Sequence, residues 1–205
     1  MDRRLLILSG LAAAAGAPAL AQEEGGPAPA PAGPPPAGGP GAGPAKPYEQ
    51  HEIVNAVSDF FGVTAEKAGG VIEHVFREKG RPTAYIAGTE GSGAFIFGLR
   101  YGNGLMYMKD RDRMQVFWQG PTGGFDFGGN VGRVFTLCYM LEYPDAIFRR
   151  FPGVDGSAYF VAGLGVNYQH ADGITLAPIR AGVGLRLGAS VGYLAYSRKR
   201  NVIPL

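Results

Sequence analysis

The 205-residue chain is poor in the residues that carry most site chemistry: it has one cysteine, Cys138, and three histidines. A single cysteine cannot close an internal bridge, which excludes a disulfide scaffold. His51, His74 and His170 each lack a second ligand at metal spacing, so neither a metal nor a cofactor is expected. An excess of one charge is also missing. The 19 Lys+Arg and 17 Asp+Glu leave a net of +2, which gives no electrostatic case for nucleic acid. Long hydrophobic runs are absent too. The apolar run Leu5–Ala17 is too short for a comfortable membrane span, so an integral membrane protein is not expected.

What the chain has instead is 34 Gly and 16 Pro, unevenly spread. Gln22–Pro47 holds 9 Pro, 7 Gly and 6 Ala in 26 residues. That stretch buries too little apolar surface to offset its ordering entropy, so it is expected to be a disordered linker, extended and semi-stiff. It serves as a spacer, or as a tether that docks to a protein partner. Before it, Arg3 and Arg4, the apolar run and Ala19-Leu20-Ala21 read as a secretory signal peptide over residues 1–21. Cleavage is expected after Ala21, followed by export. The absence of a cysteine there excludes a lipoprotein anchor.

Residues 48–205 are then a single domain. Its first part, residues 48–80, is the only stretch with helical periodicity. Ile53, Val54, Val57, Phe60 and Phe61 mark one helix, stopped by Gly62. Thr64 is placed to cap a second, whose apolar face is Val71, Ile72, Val75 and Phe76 and which ends at Gly80. The Gly69-Gly70 pair inside it predicts close packing against another backbone.

From Arg81 the period becomes two. Short strands are expected at Ala84–Ala87, Ala94–Tyr101 and Leu105–Lys109, with a hairpin loop over Gly88–Gly93 and a tight turn at Gly102-Asn103-Gly104. Further strands follow at Met114–Gln119, Gly124–Gly128 and Arg133–Leu141, with a helical turn in Pro144–Phe151. Ser157–His170 and Ile174–Leu187 read as a hairpin about Asp172-Gly173, and the last strand lies near Val191–Ser197. Glycines at spacing two, such as Gly163 and Gly165 or Gly182 and Gly184, are expected to curve the sheet. The fold class is mainly β with N-terminal helices. It is a small antiparallel closed or strongly curved β-barrel of about eight strands, capped by two short helices. Uneven strands, no continuous outward apolar band and a basic C-terminal segment argue against a membrane barrel.

Catalytic signals are thin. His170 and Asp172 sit at a turn, Cys138 lies in an apolar strand, and Ser157 and Ser190 have no elbow or base in recognisable order. Gly88–Gly93 lacks the lysine of a phosphate loop. A non-enzymatic protein is therefore expected. The enzyme alternative would have to use Asp126, His170 and Arg180. Aromatic residues on strands, with arginines at strand positions, suggest a core or an apolar binding site. The candidate ligand residues are Arg100, Tyr101, Phe117, Trp118, Phe125, Phe127, Arg180 and Arg186. The alternative for the arginines is pairing with Glu90, Asp126 or Glu142.

Two runs also carry a family likeness. Gly98-Leu-Arg-Tyr-Gly-Asn-Gly and the later Phe117-Trp-Gln-Gly-Pro-Thr-Gly-Gly-Phe-Asp-Phe-Gly-Gly resemble the SYLF lipid-binding domain over about Thr83–Leu141. The whole domain, with its signal and Pro-rich linker, more closely resembles the exported bacterial proteins called envelope integrity protein A. That resemblance implies a periplasmic β-barrel without enzymatic activity that supports the cell envelope. The SYLF likeness implies phospholipid, so the expected partner is a lipid or another apolar envelope component.

Overall fold

The computed structural model describes residues 43–95, 97–122, 130–153, 159–181 and 192–201. The expected signal peptide, most of the linker, the strand at Gly124–Gly128 and the residues Phe125, Asp126, Phe127, Ser157, Gly182, Gly184, Arg186 and Ser190 lie outside them.

Both helices form where the periodicity places them. α1 spans Gln50–Phe61, opened by a reciprocal capping box between Glu49 and Glu52 and closed by Gly62 at φ 68°. α2 spans Ala65–Lys79, and the Thr64 hydroxyl accepts the Lys67 N–H at its start. Ile53 and Val57 of α1, with Ala68, Val71, Ile72 and Val75 of α2, are buried on one shared apolar surface. Gly70 faces the Val161 side chain at 3.0 Å, while Gly69 faces open space. The Gly-Gly pair therefore admits a side chain, not the backbone that its composition suggested.

Among the described residues ten strands follow: β1 (Ala84–Phe95), β2 (Phe97–Met108), β3 (Met114–Thr122), β4 (Asn130–Tyr139), β5 (Arg150–Pro152), β6 (Tyr159–Val161), β7 (Leu164–Val166), β8 (Gln169–Ala171), β9 (Ile174–Ala181) and β10 (Tyr193–Ser197). A 3₁₀ turn at Pro144–Ile147 precedes β5. Every ladder between them is antiparallel, in the order β5-β10-β3-β2-β1-β4-β9-β7-β6, with β8 also on β9. The sheet curls into a half-barrel. Its end strand β5 comes round to β8 through one antiparallel bridge, Gly153 to Gln169.

Alternation along the strands gives the two faces different fates. Ile86, Met106, Val116, Trp118, Cys138, Leu176, Leu194 and Tyr196 come from strands across the whole sheet and meet in one cluster, with Ile147 and Phe151 beside them. That face is the concave interior. Tyr85, Phe135, Leu137, Tyr139, Ala177 and Ile179 point the other way and pack under the helices, which cap the sheet from its outer side.

Four expectations are corrected. Gly88–Gly93 and Gly102-Asn103-Gly104 are not loop and turn. They lie inside β1 and β2, twelve residues each, paired in continuous register from Ala84–Met108 to Phe95–Phe97. The glycines serve close approach. Gly88 and Gly104 stand opposite each other, and a Cβ on Gly88 would come within 2.8 Å of the Trp118 indole, while one on Gly102 would collide with it outright. The strand expected at Met114–Gln119 does not stop there; β3 runs on through Gly120 and Pro121, which pairs with Leu99. Ser157–His170 is not one strand, because Ala162 (φ 52°) and Gly163 (φ 83°) turn the chain between β6 and β7. The Asp172-Gly173 turn, at φ 46° and 81°, stands as read and joins β8 to β9.

Gly102→Ala is expected to lower stability by about 1–3 kcal/mol, the usual range for overpacking. Gly132→Ala, which meets nothing within 4 Å, is expected to leave the urea midpoint nearly unchanged. Trp118 is the sole tryptophan, so its emission should shift in the first variant and hold in the second.

Candidate functional site

On the interior face the register sets Glu90 of β1, Gly102 of β2 and Trp118 of β3 in one cross-strand row. Gly102 contributes no side chain, so the indole reaches over β2 and its Nε1–H donates to Glu90 Oε2 at 2.8 Å. Arg180 of β9 closes on the same carboxylate with two N–H donors, Nε to Oε1 at 3.1 Å and Nη2 to Oε2 at 3.2 Å. Its Nη1 donates to Asn167 Oδ1 at 2.8 Å. Arg100 Nε lies 3.2 Å from Glu90 Oε1. Three of the predicted ligand residues, Arg100, Trp118 and Arg180, are thus gathered around one buried carboxylate. The arginines took the pairing alternative, with Glu90 as the acid.

Burial alone would raise the Glu90 carboxyl, but the guanidiniums of Arg180 and Arg100 override it and hold the group below its ordinary value of 4.5. Arg100 is itself lowered, by burial and by Arg180, with Glu90 opposing. The cluster locks β1, β2, β3 and β9 together.

The other predicted residues, Tyr101 and Phe117, sit on the opposite face. Two cross-strand rows run there. One is Val131–Gly91–Tyr101–Gln119, and the other is Arg133–Thr89–Asn103–Phe117, each crossing β4, β1, β2 and β3. Gly91 leaves a trough between Val131 and Tyr101. Together with Gly102, Trp118, Arg200 and Asn201, residues of these rows line a cleft of about 450 Å³. Val131 is 74% exposed, unusual for a strand valine. Thr89 Oγ1 lies 3.5 Å from Asn103 Oδ1, and Arg133 Nη1 donates to the Phe60 carbonyl at the end of α1 at 2.8 Å.

Among the described residues, the remaining chemical candidates do not converge. Cys138 is buried in the interior, and burial pushes its thiol up, away from the reactive thiolate. His170 Nδ1 lies 2.7 Å from Thr175 Oγ1, and burial, then Lys79, lowers the ring's pKa. Asp172 is held by Arg149 at 2.8 Å. Arg180 is committed to Glu90, while His170 is exposed on β8. Among the described residues no three His, Cys, Asp or Glu side chains cluster to hold a metal. Sequence reasoning missed Thr89, Gly91, Asn103, Gln119, Val131, Arg200 and Asn201 as cleft residues. Correct register from β4 through β1 and β2 to β3 would have found the strand residues, and no sequence signal places Arg200 and Asn201 beside them.

The fold and cleft define a two-helix, antiparallel half-barrel protein with a groove on its outer face. The family model described as envelope integrity protein A matches residues 46–205, and the chain belongs to that family. A crystal structure titled as a β-barrel-like, uncharacterised protein from Brucella abortus is similar at 43% identity and a TM-score of 0.70. The match covers 78% of this chain and 99% of that one. Comparison with curated proteins gives no match. Among the described residues, no helix is long and apolar enough to cross a membrane.

Glu90→Gln leaves the buried Arg180 and half-buried Arg100 guanidiniums without their carboxylate, and a loss of about 3–5 kcal/mol is expected by urea denaturation. A depressed carboxyl stabilises the fold above its unfolded pKa and loses that contribution as pH falls through the folded value. Wild-type stability should therefore drop as pH falls below about 4.5. The Gln variant should show a flatter acid limb over the same range.

Proposed function

We propose that this protein is an exported, periplasmic, non-enzymatic support of the cell envelope that holds an apolar or amphipathic envelope component in its outer cleft. The observation that carries the reading is the cleft itself. Tyr101, Phe117 and Val131 present apolar surface on a sheet whose other face is locked by an ion-pair cluster. A rigid floor lowers the ordering cost of binding, and a site of this size suits a small ligand or a segment of a larger one. Family membership supports the envelope role. The SYLF likeness of the strands that build the cleft supports lipid as the apolar component.

The non-enzymatic reading is supported by what the shifted groups are doing. Tyr48, Tyr85, Tyr139 and Tyr196 are raised by burial, Glu90 is fixed by arginines, and Cys138 is buried. Export is supported by Arg3, Arg4, the Leu5–Ala17 run and Ala19-Leu20-Ala21. Gln22–Pro47 would then give the domain reach from its mature N-terminus. Its last residues are anchored, with Arg111 Nη2 donating to the Gly43 carbonyl at 2.8 Å and Lys46 paired with Asp110.

Intact-mass measurement of the exported protein should give a chain beginning at Gln22; a mass that includes residues 1–21 would overturn cleavage. Native mass spectrometry of the wild type should retain a single-chain amphiphile such as dodecyl maltoside. Tyr101→Ala with Phe117→Ala should lose it at least tenfold, with the urea midpoint little changed because both residues line an open cleft. A wild type that retains no amphiphile would sink the reading.

A further inference from the structure

The apolar-ligand reading of the cleft is the starting point here; the step beyond it concerns the ligand's polar end. Two guanidiniums flank the cleft. Arg133 lies at the β4 end of the row that runs through Thr89 and Asn103 to Phe117, and it is exposed. Its Nη1 donates to the Phe60 carbonyl, a neutral partner, and it stands outside the lining of the cleft. Arg200 lines the cleft itself and is exposed just beyond β10. Among the described residues neither forms an ion pair with a carboxylate. Arg100, Arg149, Arg180 and Arg198 each do.

The apolar surface and the charge lie side by side. Val131 and Tyr101 lie in the row next to Arg133, and Phe117 ends the same row as Arg133. From β4 to β3 the trough crosses three inter-strand spacings, about 14 Å. That is room for an extended chain along the aromatic floor with its polar end at a guanidinium. A guanidinium fork matches phosphate or carboxylate oxygens in a way that it does not match a neutral or zwitterionic head.

We propose that the cleft takes a lipid with an anionic headgroup, its phosphate or carboxylate against Arg200, the guanidinium that lines the cleft, and its acyl part along Phe117, Tyr101 and Val131 toward β4. A lipid is chosen over a free anion because the floor between the arginines is aromatic and aliphatic, a surface that gives inorganic phosphate nothing.

Titration calorimetry on the full exported chain, below micelle concentrations, compares probes with one common tail: dodecyl phosphate and dodecylphosphocholine. The wild type should prefer dodecyl phosphate by about tenfold or more, the scale of one charge-assisted contact. Added salt should narrow that preference, because Arg200 is exposed. Arg200→Gln should abolish the preference while keeping the weaker binding of dodecylphosphocholine and an unchanged urea midpoint, and Arg133→Gln, at the far end of the trough, should leave the preference in place. Equal binding of both probes, untouched by Arg200→Gln, would overturn the anionic headgroup and leave the apolar cleft standing. Failure of both probes to bind would overturn the cleft reading itself. Inorganic phosphate competing as well as dodecyl phosphate would overturn the lipid.

Discussion

A carboxylate with 9% of its surface exposed, Glu90, is the constraint around which the half-barrel is arranged. Taking a charge out of water costs several kcal/mol, so a buried Glu persists only with partners of good geometry. Each partner comes from a different strand: Trp118 from β3, Arg100 from β2 and Arg180 from β9. Arg180 is 90 residues away in sequence and reaches Glu90 only when β9 is paired with β4 and β4 with β1. The cluster therefore requires the curl of the sheet, and the curl in turn buries the cluster. Gly102 is part of the same arrangement, because any side chain there would stand between the indole and its acceptor.

The interior lock also defines the outer surface. In a strand, successive residues alternate faces, so each stretch that builds the cluster builds the cleft as well. Glu90 lies between Thr89 and Gly91, and Trp118 between Phe117 and Gln119. The inward members are held by charge and hydrogen bonds, so the outward members stand at fixed spacing on a stiff floor. The helices cover the end of that face nearest Tyr85, Phe135 and Leu137, and Arg133 ties the last turn of α1 to β4. Among the described residues, the part left uncovered is the cleft.

How much of this could be read from the sequence depended on the range over which each feature was decided. The helices were legible to within a residue or two, because their signals are local: apolar spacing of three and four, Thr64 as a cap, Gly62 and Gly80 as stops. The Asp172-Gly173 turn was legible for the same reason. Gly102-Asn103-Gly104 has the local signature of a hairpin turn and is nothing of the kind. What decides it is Trp118, two strands from Glu90, and no window around Gly102 contains that information. The arginines show the same limit. Pairing with Glu90 was foreseeable as one of three choices, but the choice itself follows from register. Of the predicted site residues, Tyr101 and Phe117 were found as aromatics on strands, whereas Thr89, Asn103 and Gln119 are ordinary polar residues until the ladders align them.

A small barrel invites the expectation that any ligand sits inside it, as it does in larger closed barrels. The described interior argues the other way. Ile86, Met106, Val116, Trp118, Leu176, Leu194, Tyr196 and Phe151 fill the concave face, and the polar remainder is spent on the Glu90 cluster. An apolar ligand entering there would have to displace close-packed side chains and separate a buried ion pair, two costs that each run to several kcal/mol. The outer cleft asks neither. Its aromatic surface is already open, its floor is already ordered, and its arginines face water, so their loss of hydration on binding is small against the charge they would meet. The same packing that makes the interior a core leaves the outer face as the place where this fold can hold something else.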